Sequence, residues 1–238
     1  MLERLPFVLE PMTLGDVDQV MEIERLSFTA PWSARAYRFE LTENENSVMV
    51  VVRQAPGSSG LRRWLWPHNP QARRPVLGYA GMWLLVDEGH IATIAVHPDW
   101  RGRGLGEMLI LSLLERARSR GMQRSSLEVR VSNEGAQALY RHVGFEVVSR
   151  RRHYYADNDE DAYIMVTPAF DQPGFWENVE RRRVRLHSRL RAEGAAGAPN
   201  PAGATAPEPA LSPPRRRIFP ASGPRTPPRP PRSGARVR

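Results

Sequence analysis

The sequence predicts a mixed α/β (α+β) domain over residues 1–170, a central mixed β-sheet with helices packed on it. Two observations carry this. β-branched runs such as Val48 to Arg53 alternate along the chain with segments whose apolar residues recur at helical spacing. Ile94-Ala95-Val96 stops at Pro98, passes through a turn holding Gly102, Gly104 and Gly106, and gives way to Met108, Leu109, Leu111, Leu113 and Leu114 before Gly121. That is a strand, a glycine-rich turn and a helix.

The elements follow in order. Residues 7–12 read as a short strand. Thr13 with Asp16 makes a capping start, and Val17, Val20, Met21 and Ile23 continue it at helical spacing. Ser33, after Pro31-Trp32, caps a second helix that runs to about Leu41. Val48 to Arg53 is a strand. Residues 54–75 break the pattern with prolines, glycines and Arg62-Arg63-Trp64-Leu65-Trp66, and are expected to form a long hairpin insertion. There Trp64 and Trp66 either cap the loop's own small core or form a contact patch. Val76 to Leu85 and Glu88 to Val96 are strands joined at Val86-Asp87. Ser125 to Val131 is a strand, and Ala136 to Val143 a helix closed by Gly144. Glu146 to Tyr154 and Ala162 to Val166 form a hairpin around the acidic loop 157–161. That loop is either a solvated tip or the flank of an entrance for a basic peptide. The order is β-α-α-β-β-β-α-β-α-β-β, and the domain is expected to end near Pro168.

Composition removes several classes. The chain has 238 residues and no cysteine, which excludes disulfides and thiolate chemistry. Its six histidines are scattered with no i, i+4 pair, so no metal is expected. No apolar run approaches the roughly 20 residues of a membrane span. Glu3 and Arg4 sit where a secretory signal would begin, so a cytoplasmic protein without membrane partners is expected. The net charge of +8 is uneven: residues 176–238 hold 14 Arg against 4 Glu, leaving the rest slightly acidic. Within 171–191, Trp176 to Leu190 reads as an arginine-rich helix. Residues 192–238, rich in proline and arginine, are expected to be a disordered tail. With Phe219 as its one aromatic, that tail would make charge-driven, unspecific RNA contact at most.

The glycine turn carries the first chemistry. Glycines let backbone N–H groups approach a ligand closely, and a helix N-terminus adds partial positive charge, so the turn suits a pyrophosphate. An ordinary strand–helix turn would use glycine for tightness alone. A dinucleotide fingerprint needs a third glycine where Glu107 stands, and an NTPase phosphate loop needs a lysine, which this chain lacks. The pattern present is Arg101-x-x-Gly104-x-Gly106. It resembles the coenzyme A pyrophosphate loop of the GNAT N-acetyltransferase superfamily.

Further motifs narrow the resemblance. They are Leu127-Glu128-Val129-Arg130-Val131-Ser132-Asn133, Ala138-Leu139-Tyr140 and Gly144-Phe145. Phe28-Thr29-Ala30-Pro31-Trp32-Ser33 precedes them and Arg151, Arg152, Tyr154 and Tyr155 follow. Together they resemble the ribosomal-protein-alanine N-acetyltransferase family (RimI type) over roughly residues 8–167. The insertion 54–75 and the chain beyond 170 depart from that pattern.

The resemblance implies a GNAT-type fold and acetyl-coenzyme A as cosubstrate. It implies the N-terminal alanine of a small-subunit ribosomal protein as acceptor. Glu128 would be the general base and Tyr140 the acid that protonates the departing thiolate. Ile94, Ala95 and Val96 would bind the pantetheine arm along their backbone, helped by Asn133. Arg101, Gly102, Arg103, Gly104, Leu105, Gly106 and Glu107 would wrap the pyrophosphate. Tyr154 and Tyr155 would line the peptide groove. An α-amino group has a pKa near 8, so roughly a tenth of it is neutral at pH 7, against under about 0.1% of a lysine side chain. A carboxylate base therefore suits an N-terminal substrate better. Two alternatives remain at this point: acetylation of other N-termini or of lysine side chains, and an RNA-associated binding protein acting through its basic tail.

Overall fold

The computed structural model describes residues 5–56 and 74–196. The expectations for Trp64, Trp66 and most of the insertion, and for the tail beyond 196 and its RNA contact, lie outside the described residues; residues 192–196, expected in the disordered tail, are helical instead, continuing the arginine-rich segment. Seven strands form one sheet: β1 (Phe7–Pro11), β2 (Ser47–Gln54), β3 (Gly78–Leu85), β4 (Glu88–Val96), β5 (Arg124–Arg130), β6 (Glu146–Tyr155) and β7 (Glu160–Val166). Their spatial order is β1-β2-β3-β4-β5-β7-β6. Every pairing is antiparallel except β4 with β5. This is the mixed sheet the sequence predicts, with its helices on both faces.

α1 (Val17–Ser27) and α2 (Ala34–Thr42) lie on one face, and α3 (Leu105–Ser119) and α4 (Glu134–Val143) on the other. The caps act as the sequence indicates. Asp16 Oδ2 accepts from both Thr13 N and Thr13 Oγ1 at 2.9 Å, closing a short 3-10 turn ahead of α1. Ser33 Oγ accepts from Ala36 N at 3.2 Å and starts α2. α3 begins at Leu105, three residues before the apolar periodicity, because Gly104 at φ +79° turns the chain straight into the helix. Gly144, at φ +115°, ends α4.

A fifth helix, α5 (Phe175–Ala196), includes the stretch the sequence marks as an arginine-rich helix. Its apolar residues Phe175, Val179, Leu186 and Leu190 stand on one face and join the core formed by α3 and the sheet. Each such burial is worth about 1.5–3 kcal/mol. The helix runs against α3: the Arg118 guanidinium lies 4.4 Å from the Trp176 ring, and Arg183 pairs with Glu115 at 3.6 Å. Residues 1–170 and α5 share one core.

The feature that positions the site is a split in the sheet. The parallel β4–β5 ladder holds only from Glu88–Arg124 to His90–Ser126. Just beyond its last rung, Ala92 has no partner in β3, a bulge that bends β4. β4 then follows β3 to Val96 while β5 follows β7 to Arg130. The two strands part, and an opening forms between them.

Candidate active site

On the α3 side, the opening is lined by main chain and small residues. A cavity of about 110 Å³ is bounded by Ile94, Ala95, Val96, Arg101, Gly102, Gly106, Ala136, Leu139 and Tyr140. The loop below it is tight: Gly102 and Gly104 both have positive φ, and a Cβ on Gly106 would lie 3.2 Å from Leu139 Cδ2. Arg101 turns back, donating to Val96 O at 3.0 Å and to Ser27 Oγ at 3.1 Å, so its side chain braces the loop. The Arg103 guanidinium stacks over Trp100 at 4.6 Å. Gly104 gives α3 no side-chain cap, which leaves first-turn N–H groups for a ligand. Leu105 is buried. Glu107 is held by Arg189 of α5 at 3.4 Å and by His142 at 3.7 Å.

α4 supplies two more groups. Asn133 Oδ1 caps the helix through Ala136 N at 3.0 Å, while its Nδ2 is buried without a protein partner. One side chain thus fills the capping role and still has a donor to give. Tyr140 is buried on the same face, and burial pushes its phenol well above the ordinary range. It stays protonated at neutral pH.

On the α1–α2 side, the opening is lined by side chains. Period-two alternation puts Ser126, Glu128 and Arg130 on one face of β5, and the last parallel rung puts His90 beside Ser126. Glu128 is about one-tenth exposed and lies two residues past that rung. Its Oε2 is 3.2 Å from His90 Nε2 and its Oε1 3.6 Å from an Arg151 nitrogen. His90 stacks on Trp83, and Trp83 on Trp32. Tyr154 is half-buried. Its phenol is pushed above its usual range by burial first and by the Glu128 charge second. Tyr155 is almost wholly buried, with the Arg130 guanidinium 3.8 Å from its ring and its hydroxyl unpartnered. β6 is irregular here, with His153 in the left-handed region at φ +51°, so consecutive tyrosines are set at right angles to one another.

Two loops meet above this side. Glu24 of α1 is buried and accepts from Trp32 N, Tyr37 Oη and Tyr79 Oη, which fixes the α1–α2 loop. Burial raises the pKa of Glu24, and those three donors oppose the rise. Thr29 of that loop donates to Asp157, and Arg130 grips Asp157 at 2.7 Å and Glu160 at 3.0 Å. Arg150 takes Asp161 at 2.6 Å. Most of the acidic charge seen in the sequence is therefore neutralised within the loop; only Asp159, paired with His153, is largely exposed.

The structure brings Ile94–Val96, the glycine loop and Tyr140 around one cavity and puts Glu128 at the same opening on the other face. Sequence reasoning missed His90, Ser126, Glu24 and Arg130. A histidine alternating with Glu88 in a strand was a faint signal for the first. The rest depend on partners far away in sequence. Among the described residues no group of His, Cys, Asp and Glu could hold a metal ion, and no helix is long and apolar enough to cross a membrane.

The acetyltransferase (GNAT) family model matches residues 17–145, and the chain belongs to that family: it is an acetyltransferase. Its relatives are more particular. A Bacillus subtilis protein that carries the name of a ribosomal protein bS18-alanine N-acetyltransferase is 38% identical over 154 residues, 65% of this chain and 90% of the relative. The N-alpha-acetyltransferase RimI of Mycobacterium tuberculosis is 34% identical over 167 residues, 66% of this chain and 92% of the relative. The crystal structure of the ribosomal-protein-S18-alanine N-acetyltransferase from Escherichia coli superposes with a TM-score of 0.56 at 28% identity, covering 68% of this chain and 93% of that one.

Proposed function

We propose that the protein transfers the acetyl group of acetyl-coenzyme A to the α-amino group of an N-terminal alanine on a small-subunit ribosomal protein. The observation that carries this reading is the opening itself. A main-chain-lined cavity with a protonated tyrosine lies on one face, and a carboxylate is held on the other. The names of the relatives support the acceptor.

The residues present fit acetyl-coenzyme A. Among the described residues, the β4 edge from Ile91 to Val96 has no strand partner on the β5 side and offers main-chain groups to an extended arm. The buried Asn133 Nδ2 lacks an acceptor that a pantetheine amide would supply. The uncapped start of α3 at Gly104, with Gly102 and Gly106, suits a pyrophosphate. When bound, the coenzyme supplies a thioester carbonyl as electrophile. Backbone N–H groups of β4 would stabilise negative charge on that oxygen. Glu128 takes a proton from the α-ammonium group, and Tyr140 donates one to the departing sulfur. Tyr154 flanks Glu128 and lines the groove for the incoming peptide, with Tyr155 packed behind it.

The test uses mass spectrometry of two peptides, one starting with a free alanine and one with a blocked N-terminus and an internal lysine. The alanine peptide should be acetylated and the lysine peptide should not. Glu128→Gln and Tyr140→Phe should each lower kcat by about 10²–10⁴ while coenzyme affinity persists. Full activity in both variants would remove the assigned roles, and preference for the lysine peptide would remove the acceptor.

A further inference from the structure

Glu128 heads a line of polar side chains that leads away from the opening. His90 Nε2 lies 3.2 Å from Glu128 Oε2, and His90 Nδ1 lies 2.9 Å from Ser126 Oγ. Ser126 Oγ donates to Glu88 Oε1. The run starts at a nearly buried carboxylate and ends at one whose side chain is 30% exposed, beside Arg124 at 3.6 Å. We infer that Glu128, His90, Ser126 and Glu88 form a relay that carries the substrate proton from the active site to bulk water. This rests on Glu128 being the base. His90 and Ser126 do not touch substrate; they act through Glu128.

Counting donors sets the direction. An ionised Glu88 only accepts, so the single hydroxyl proton of Ser126 points to it. Ser126 Oγ then accepts from His90, whose Nδ1 must carry a proton. In that tautomer Nε2 carries no proton and faces Glu128 Oε2 at 3.2 Å, where it can take a proton from it. The cluster can therefore take a proton on the Glu128 side and release one on the Glu88 side. In balance, an N–H bond of the substrate ammonium breaks as an O–H bond forms on Glu128, and that O–H bond breaks as an N–H bond forms on His90 Nε2. The Nδ1–H bond of His90 breaks as an O–H bond forms on Ser126. The original Ser126 O–H bond breaks as one forms on Glu88, which passes the proton to water. Glu128 is again a carboxylate and the cluster ends with the proton count it began with; His90 is left as its Nε2–H tautomer and returns to the Nδ1–H form before the next turnover. Acetylating an ammonium group removes two protons from its nitrogen: one leaves with the sulfur, and the relay accounts for the other.

The surroundings hold the relay in line. His90 is stacked on Trp83 of β3, whose indole N–H donates to Glu40 of α2 at 2.9 Å. From β6, Arg151 and Tyr154 face Glu128, and from β5, Arg124 faces Glu88. The parallel rung between His90 and Ser126 fixes imidazole against hydroxyl through the backbone. The opening begins just past this rung, so the relay occupies the closed end of the wedge.

The experiment is steady-state kinetics on acetyl-coenzyme A and an alanine-starting peptide, for the wild type, Glu128→Gln, Ser126→Ala and Glu88→Gln. Ser126→Ala should lower kcat by roughly tenfold with KM for both substrates unchanged, within the range general acid–base groups contribute. Added imidazole buffer should restore much of that loss, because a small base replaces the missing exit. Glu88→Gln, at an exposed strand end, reads the same step if Ser126→Ala does not fold, and should show the same buffer-dependent recovery. Wild-type kcat in both variants overturns the relay, and so does a loss of kcat that buffer does not restore, which marks a structural role. If Glu128→Gln is itself fully active, the base assignment fails instead. If Glu128→Gln is slow while the other two are unchanged, the base stands and the relay alone falls.

Discussion

On the α3 side of the opening, the surface offered to a ligand is main chain: the β4 edge, the left-handed turns at Gly102 and Gly104, and the uncapped start of α3. On the α1–α2 side it is side chains: His90, Glu128, Arg130, Arg151 and Tyr154, held by contacts among β4, β5, β6 and the loop after β6. The difference fits the proposed placement of the coenzyme on one side and the acceptor on the other. A cosubstrate common to many acetyltransferases can be bound by groups that every residue owns, provided that glycine lets them come close. An acceptor has to be chosen, deprotonated and aligned, and this takes particular side chains in a fixed arrangement. Substitutions should therefore act differently on the two sides. On the main-chain side they should do harm by adding atoms, and on the other side by removing them.

The largest effect expected on the main-chain side comes from Gly104→Asp. The residue sits at φ +79°, and a Cβ there would lie 2.7 Å from Leu186 Cδ1 and closer still to the Arg189 guanidinium. The new carboxylate would also oppose a pyrophosphate at the helix start. Coenzyme affinity measured by calorimetry should fall roughly a hundredfold, with a lower melting temperature from the strained backbone. Unchanged affinity would move the phosphate site elsewhere and break the comparison on its better-defined side.

That side was also the legible one. Spacing alone singled out Gly102, Gly104 and Gly106, because a tight strand–helix turn needs glycine at fixed offsets within one short segment. The helix caps at Ser33 and Gly144 were legible for the same reason: their partners lie within a few residues. On the α1–α2 side the family resemblance, and not spacing, singled out Glu128, Tyr154 and Tyr155. Arg130 reads in sequence as an alternating strand residue. Its meaning comes from Asp157 and Glu160, about thirty residues on, and from the Thr29 loop a hundred residues back. α5 was half legible: its arginines dominate the composition, while the four apolar residues that dock it are sparse enough to hide among them.

A smaller effect, on the side-chain side, should follow from Thr29→Val. The substitution keeps the shape and removes the hydroxyl that ties the α1–α2 loop to Asp157. A surface hydrogen bond to a charged group contributes about 1 kcal/mol or slightly more. KM for the peptide should rise several-fold, with kcat and coenzyme affinity unchanged. A change in coenzyme affinity instead would show that the two sides are not separate, since Thr29 lies on the face opposite the cavity.

The smallest expected effect tests what holds the acceptor side together. Burial opposes ionisation of Asp157, yet hydrogen bonds from Arg130 and Thr29 hold its carboxyl down to about 2, from an ordinary 3.8. Burial likewise opposes ionisation of Glu160, and bonds from Ser132, Arg130 and Asn158 hold it to about 2, from 4.5. Both groups bind protons less readily folded than unfolded, so their contribution is present above the unfolded values and is lost as pH falls through the folded ones. The window is therefore about pH 4.5 down to 2. Arg130→Gln removes the shared partner and should lower the melting temperature at pH 7. The gap between wild type and variant should stay level down to about pH 4.5 and close towards pH 2 as the carboxylates of the wild type take up protons. Melting curves of both proteins across that range give the gap directly. A gap that persists unchanged at pH 2 would mean that Arg130 acts through its stacking on Tyr155, so that packing rather than charge orders the acceptor side.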